Sequence, residues 1–508
     1  MNRIFSYTIN KGLKIKYDKF LLGVKNPYQC QESILKNLIS KASHTQFGME
    51  HGFSSLRNDQ DFRTEVPIND YNSLKPYIEK MMAGDKNILW PGKTKWFAKS
   101  SGTTSDRSKF IPVSADALEN CHYKAGKELI SIVYHLKPET EIHYGSGLVL
   151  GGSHQINNMN NHSRVGDLSS ILLQNLPLWA KFWQEPSYKS IFYEDWEKKI
   201  EIIAERVLTR RITHITGVPT WTLVLFNKLL EISGKKNISE IWPSLELYAH
   251  GGVSFTPYLP VFKEMIPNEK MTYLETYNAS EGFFGVQDQI ECNDLLLLTD
   301  HGIFYEFLPF EDLHNEQVKT LTLEEVETGK NYALIISTNA GLWRYLIGDT
   351  IRFTSTMPYR FRLTGRTKHF INAFGEEVII ENAEKALAEA CHQTNATIND
   401  FTAAPVYFEG RKKGAHEWII EFAHPPLDMD VFTTLLDKRL KSLNSDYETK
   451  RYNDLALTKP IIHSVSPNTF YQWMKYKNKL GGQNKVPRLS NDRTYVDDIL
   501  NYINSKAD

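Results

Sequence analysis

Between residues 94 and 364, short apolar runs alternate with amphipathic helical stretches, and that alternation restricts the chain to an α/β arrangement. Residues 147–150, 245–248 and 333–336 read as buried strands. Trp196, Ile200, Ile203 and Val207 recur at spacings of four, three and four, which places them on one helix face. Upstream, residues 28–90 read as helical, with 71–82 an example. A second unit begins near Gly365. It has a helix with Ile380, Ala383, Leu387 and Ala390 on one face, strand-like segments at 405–409 and 418–422, and a further helix near 430–443. The expected fold is α/β, with a large N-terminal domain over 1–364, a hinge at 365–372 and a smaller α+β domain over 373–508. A chain of 508 residues exceeds what one core usually serves.

Composition removes several classes of partner. Lys plus Arg number 59 against 60 for Asp plus Glu, so no whole-chain field draws in nucleic acid or an anionic membrane. Any polyanion must therefore be bound by a local site. Cys30, Cys121, Cys292 and Cys391 lie about ninety or more residues apart, which excludes C-x-x-C metal spacing and a disulfide framework. No apolar run has the length of a signal peptide or a membrane span. These features predict a soluble protein of the reducing cytoplasm; they say nothing of its oligomeric state.

The loop Ser100-Ser101-Gly102-Thr103-Thr104-Ser105-Asp106-Arg107-Ser108-Lys109 gathers hydroxyls, one glycine and cations between two strand-like runs. Gly102 allows close backbone approach, the hydroxyls and N–H groups can donate to phosphate oxygens, and Lys109 supplies a point charge. A Walker A loop is excluded, because the second glycine and the Lys-Ser/Thr pair are missing. The same composition also suits a solvated turn.

Three further segments add chemistry. In Tyr277-Asn278-Ala279-Ser280-Glu281-Gly282, Glu281 follows an apolar run and can present a carboxylate to Mg²⁺, which takes one or two protein carboxylates and fills its shell with phosphates and water. A glutamate in a surface turn is the plain alternative. In Arg344-Tyr345-Leu346-Ile347-Gly348-Asp349, Asp349 can accept both hydroxyls of a ribose, at about 1.5–3 kcal/mol per bond at most. The alternative there is a strand-end turn with Asp349 paired to Arg344 or Arg352. Finally, His250-Gly251-Gly252 closes a strand where a planar group can lie on bare backbone, and Val218 and Trp221 stand at a strand-to-helix junction that can line an acyl pocket or simply the core.

Taken in order and spacing, residues 100–104, 277–282 and 344–349 resemble the three nucleotide-binding motifs of the Gretchen Hagen family of acyl acid amido synthetases, within the acyl-adenylate-forming superfamily. The resemblance covers nearly the whole chain. It implies an enzyme that converts a carboxylic acid and ATP to an acyl-adenylate and then passes the acyl group to an amine, typically an amino acid. It implies Ser100, Ser101, Gly102, Thr103 and Thr104 on the phosphates, Tyr277 against adenine, Ser280 beside it, Glu281 on Mg²⁺ and Asp349 on the ribose. Residues 365–368 resemble the start of the superfamily's hinge, with Lys368 near the nucleotide, and residues 482–488 resemble the segment whose lysine, here Lys485, reaches the α-phosphate.

This chain departs from the pattern at Asp106, where many members have glycine, and at His369 and Asn372 in the hinge. Attack of a carboxylate on phosphorus needs charge stabilisation more than a side-chain nucleophile, which agrees with the lack of a G-x-S-x-G elbow. An acyl-CoA ligase and a nucleotide-binding regulator without turnover are the competing readings.

Overall fold

The structure is a computed structural model. It describes residues 3–101, 108–150, 156–158, 161–176, 184–185, 196–253, 255, 258–290, 292–313, 315, 318–366, 370–408, 413–477 and 487–507. Gly102, Thr103, Thr104, Asp106, Lys368, His369 and Lys485 lie outside these, as does the side chain of Ser101.

An 11-stranded mixed sheet organises the larger part. One half runs antiparallel through Ile303–Pro309, Asn331–Thr338, Tyr345–Thr356, Tyr359–Arg366, Leu295–Leu297, Gly282–Gln287 and Thr272–Ala279. From Thr272–Ala279 onward the pairing is parallel, through Leu247–His250, Ile212–Gly217, Ser146–Leu150 and Gln184–Glu185. Trp196–Leu208 and Pro219–Ser233 share an apolar cluster with this half, so strands such as Leu247–His250 and Ser146–Leu150 are largely buried. Ile200, Ile203 and Val207 of the first helix are buried, as their spacing predicts. The helix over Tyr71–Ala83 also forms where expected, closed at its start by a reciprocal cap between Asp70 and Ser73.

A second sheet pairs Trp96–Ser101 antiparallel with Ser108–Val113, so the hydroxyl-rich segment does connect two strands. The smaller C-terminal part holds a sheet of Thr397–Val406, Ala415–His424 and Ile461–Val465, with helices Ile380–Thr394 and Met429–Leu443 against it.

Two strands differ from their expected bounds. The strand expected at 245–248 starts at Leu247, because Leu245 N–H is still turned back onto Trp242 O (3.0 Å) and ladder pairing begins only at Leu247. The strand expected at 405–409 runs instead over Thr397–Val406. Its first residues, polar at Asn399 and Asp400, are carried into the sheet by long-range pairing with Ala415–His424 and absorb the misfit as bulges.

One apolar cluster joins the parallel half of the large sheet to the C-terminal part, from Trp221, Tyr248 and Phe262 to Phe374, Trp418 and Leu440. Tyr258 donates to Ala373 O (2.6 Å) and Thr220 to Phe374 O (3.1 Å), so the first residues after the connecting segment are anchored on the larger part.

Candidate active site

Ligands in parallel sheets collect beyond the carboxyl ends of the strands, where loops diverge and helix N-termini point inward. Here Gly217, His250 and Ala279 end three neighbouring parallel strands at the same edge. A cavity of about 1170 Å³ opens there. That volume exceeds the roughly 300–1,000 Å³ of a typical small-molecule site, enough room for more than one substrate.

The cavity wall brings together Ser100, Lys109, Val218, Trp221, His250, Gly251, Gly252, Tyr277, Ser280, Glu281 and Asp349. Segments separated by more than two hundred residues thus meet in one place. Ser100 and Lys109 are direct partners across the Trp96–Ser101 and Ser108–Val113 pair, and Lys109 is buried.

Ser280 and Glu281 form the two-residue turn of the hairpin between Thr272–Ala279 and Gly282–Gln287. The turn projects Glu281 into the cavity. Burial pushes its carboxyl up to about 7, and the nearby Lys109 ammonium draws it back. Such a carboxylate is short of positive charge and its ionised form gains from a cation. Among the described residues no group of three or more His, Cys, Asp or Glu is gathered as a metal site.

Asp349 does not end its strand but lies inside Tyr345–Thr356, buried, with its carboxylate accepting the Tyr277 hydroxyl. The Tyr277 ring is itself buried, tilted against Phe284 at 4.8 Å between centroids. The Tyr277 hydroxyl supports and orients the Asp349 carboxylate. Neither arginine of the motif pairs with Asp349. Arg344 is buried on Glu306 (2.8 Å) and Arg352 donates to Asn331 Oδ1 (3.0 Å).

His250 is 4% exposed, stacked on Phe255 at 3.9 Å, and its Nδ1 has no hydrogen-bond partner among the described residues. Burial holds the ring neutral by lowering its pKa to about 3. An orphaned polar atom on a cavity wall is one that a ligand can satisfy. The following Gly251 is required sterically, since a Cβ there would lie 2.3 Å from Thr276 O.

Three cavity residues escaped the sequence reading. Glu275, register partner of His250, is pushed up to about 7 by burial. His122 meets Asn278 Oδ1 (3.2 Å) and is lowered to about 4 by burial. Lys450 enters from the C-terminal part. Only the placement of Glu275 six residues before Glu281, on the same strand-turn unit, offered a sequence signal; nothing local marks the other two.

Comparison with known proteins agrees with this geometry. The GH3 family N-terminal domain matches residues 16–271, its central domain 296–366 and its C-terminal domain 381–494. Indole-3-acetic acid-amido synthetase GH3.8 of Oryza sativa subsp. indica is 23% identical, covering 90% of this chain and 87% of the relative. The 4-substituted benzoates-glutamate ligase GH3.12 of Arabidopsis thaliana is 22% identical over 95% of this chain and 96% of its own length. The solved structure of the AtGH3.15 acyl acid amido synthetase in complex with 2,4-DB superposes with a TM-score of 0.64 at 17% identity, covering 97% of this chain and 96% of that one. With its N-terminal, central and C-terminal domains all matched in order, the chain belongs to the GH3 family.

Proposed function

We propose that this protein is an AMP-forming acyl acid amido synthetase that uses ATP to join a small carboxylic acid to the amine of an amino acid. The observation that carries the reading is the meeting of Lys109, Glu281 and Asp349 on one cavity wall, in a chain of this family. The named relatives act on indole-3-acetic acid and on 4-substituted benzoates with glutamate, which supports a carboxylic acid and an amino acid as the substrate classes.

In the first step a carboxylate oxygen attacks the α-phosphorus, an O–P bond forms, and pyrophosphate leaves. Ser100 and Lys109 face the phosphates and offset the charge that builds on their oxygens. Ser101, Gly102, Thr103, Thr104 and Lys368 are assigned to the nucleotide on motif match alone. Asp349, held by Tyr277, receives the ribose hydroxyls, and the adenine lies against the Gly251–Gly252 backbone and the edge of Tyr277. Glu281 would hold Mg²⁺, an ion that supplies further charge neutralisation to the phosphates. In the second step the amine nitrogen attacks the acyl carbon, the C–O bond to AMP breaks, and the amine loses a proton. His250, Val218 and Trp221 border the acyl group. Four unpaired cysteines support a reducing, cytoplasmic setting.

The test is acid-dependent exchange of labelled pyrophosphate into ATP across a panel of indolyl, aryl and aliphatic acids, followed by mass spectrometry with amino acids or CoA as acceptor. AMP and an amide are expected. ADP as the sole nucleotide product, or a thioester in place of the amide, would overturn the assignment.

The C-terminal part, 373–508, is proposed to turn about 365–372 so that Lys485 reaches the α-phosphate in the first step and withdraws in the second. In the arrangement described here Asn372 donates to Gly252 O (3.1 Å), so turning must break this contact along with those of Tyr258 and Thr220. Lys485→Ala is expected to slow acyl-adenylate formation by about tenfold or more, the scale of one phosphate-directed charge. Amide formation from preformed acyl-adenylate should hold its rate. Equal loss in both half-reactions, measured by rapid quench, would refute the division.

A further inference from the structure

Lys450 stands apart from the adenylation machinery. It lies on the short helix Ser445–Arg451 of the C-terminal part, is 4% exposed, and lines the cavity. Its ammonium sits 4.4 Å above the centre of the Trp221 ring. Among the described residues its ammonium makes no hydrogen bond or ion pair, unlike the guanidinium of its neighbour Arg451, which is spent on Asp437, Asp454 and Leu457 O. The backbone makes way for it. Gly375 has φ +86, and a Cβ there would come within 3.3 Å of Lys450 Nζ.

A buried ammonium seated on an aromatic ring, with no described carboxylate within ion-pair distance, has lost its hydration without regaining a hydrogen-bonding anion. Burial lowers Lys450 to about 8, while Asp446, Glu376 and Asp167 act from further off to keep it protonated. Glu376 is already engaged by His416 (2.8 Å) and by the Phe374 N–H (2.7 Å), so it does not close the gap. The cavity side is where an anionic ligand group can supply the missing partner.

We propose that Lys450, backed by Trp221, is a carboxylate-recognition residue for a substrate of the synthetase. The inference rests on the functional reading above and names which group that site selects. The strand order sets Lys450 apart from the hairpin to which the proposal above assigns the Mg²⁺ and phosphate contacts. Lys450 packs at the end of strand Ile212–Gly217, beside Val218, two strands along the sheet from the Glu281 hairpin. At about 4.8 Å per strand that is roughly 10 Å away. Two substrate groups share this chemistry: the α-carboxylate of the amino acid acceptor and a second carboxylate on the acyl acid.

The experiment compares wild type with Lys450→Met and Lys450→Arg, using the acid that best supports pyrophosphate exchange. Acceptors are the best amino acid and its α-amide, and acids are a monocarboxylate and the matching dicarboxylate. For Lys450→Met the expected result is unchanged pyrophosphate exchange, kcat/KM for the amino acid lowered about tenfold or more, and kcat/KM for the α-amide within about twofold of wild type. A selective loss for the dicarboxylic acid in the exchange reaction, with acceptor preference kept, would support the same subsite with the acid as source. A folded Lys450→Met enzyme that keeps both preferences overturns the proposal. Should the methionine variant not fold, Lys450→Arg carries the test, because it keeps the charge but moves it: the amino acid to amide ratio, or the dicarboxylate to monocarboxylate ratio, must shift about threefold or more. Unchanged ratios overturn the proposal. Absence of exchange in the wild type with every acid defeats the underlying reading first, and this inference with it.

Discussion

Glu281→Ala is expected to lower acid-dependent pyrophosphate exchange by about 10²–10³, roughly 2.7–4 kcal/mol of transition-state stabilisation, with the protein still folded. The size follows from where the carboxylate sits. It is carried on a two-residue hairpin turn, faces the cavity beside Lys109, and is held near 7 by burial instead of by a strong local partner. A group placed that way contributes little to the fold. Its raised pKa means the carboxyl takes up a proton on folding between 4.5 and about 7, so the ligand-free protein loses stability as pH rises through that window. Removing Glu281 should therefore flatten the fall in thermal stability across that window even as it removes activity. Asp349→Ala should behave differently, weakening ATP affinity more than the maximal rate, because the proposal assigns it to the ribose and not to the reacting phosphate. Wild-type exchange kinetics in a folded Glu281→Ala enzyme would refute the cation role, and a folded Asp349→Ala enzyme with unchanged KM for ATP would refute the ribose role.

Arg344→Met is expected to destabilise the protein by about 3–5 kcal/mol, the cost of leaving a buried charge without its partner. Arg344 donates to Glu306 from Nε (3.1 and 3.0 Å) and Nη2 (2.8 Å), and to the carbonyls of Arg63 (2.7 Å) and Val66 (2.6 Å). Glu306 is 0% exposed and Arg344 5%. The guanidinium thus binds the N-terminal helical region to the antiparallel half of the sheet, with Thr320 donating to the same carboxylate (2.6 Å). Met cannot satisfy these acceptors. Replacing both partners, Glu306→Leu with Arg344→Met, should cost less than the single change, since it removes the unpaired charge. Urea unfolding of the three variants checks this, and a single variant as stable as wild type would show that the pair is not needed for the fold.

The Arg344–Asp349 motif shows how far local reading reaches. The motif singled out Asp349 as a candidate for the ribose, and Asp349 lines the cavity. The same motif read Arg344 and Arg352 as possible partners of Asp349, whereas the strand continues through Asp349 and sends Arg344 to Glu306, thirty-eight residues earlier. No feature within the motif encodes that choice, because Glu306 becomes adjacent only when Ile303–Pro309 pairs with Asn331–Thr338 and that strand with Tyr345–Thr356.

What the amino-acid order determined by itself was periodic and local. Helices with a clean apolar face, such as Trp196–Leu208 and Met429–Leu443, the strands around the hydroxyl-rich loop, and the glycine-flanked ends at Gly251 and Glu281 were legible because their cause lies within a few residues. The tertiary structure alone decided the switch of the large sheet from antiparallel to parallel at Thr272–Ala279, the support of Asp349 by Tyr277, the orphaned Nδ1 of His250, and the entry of Lys450 above Trp221. These depend on burial and on partners up to 229 residues apart. A side chain's charge state and its free valence are set by what surrounds it in space, and that surrounding is assembled by strand pairing and packing, not by sequence neighbours.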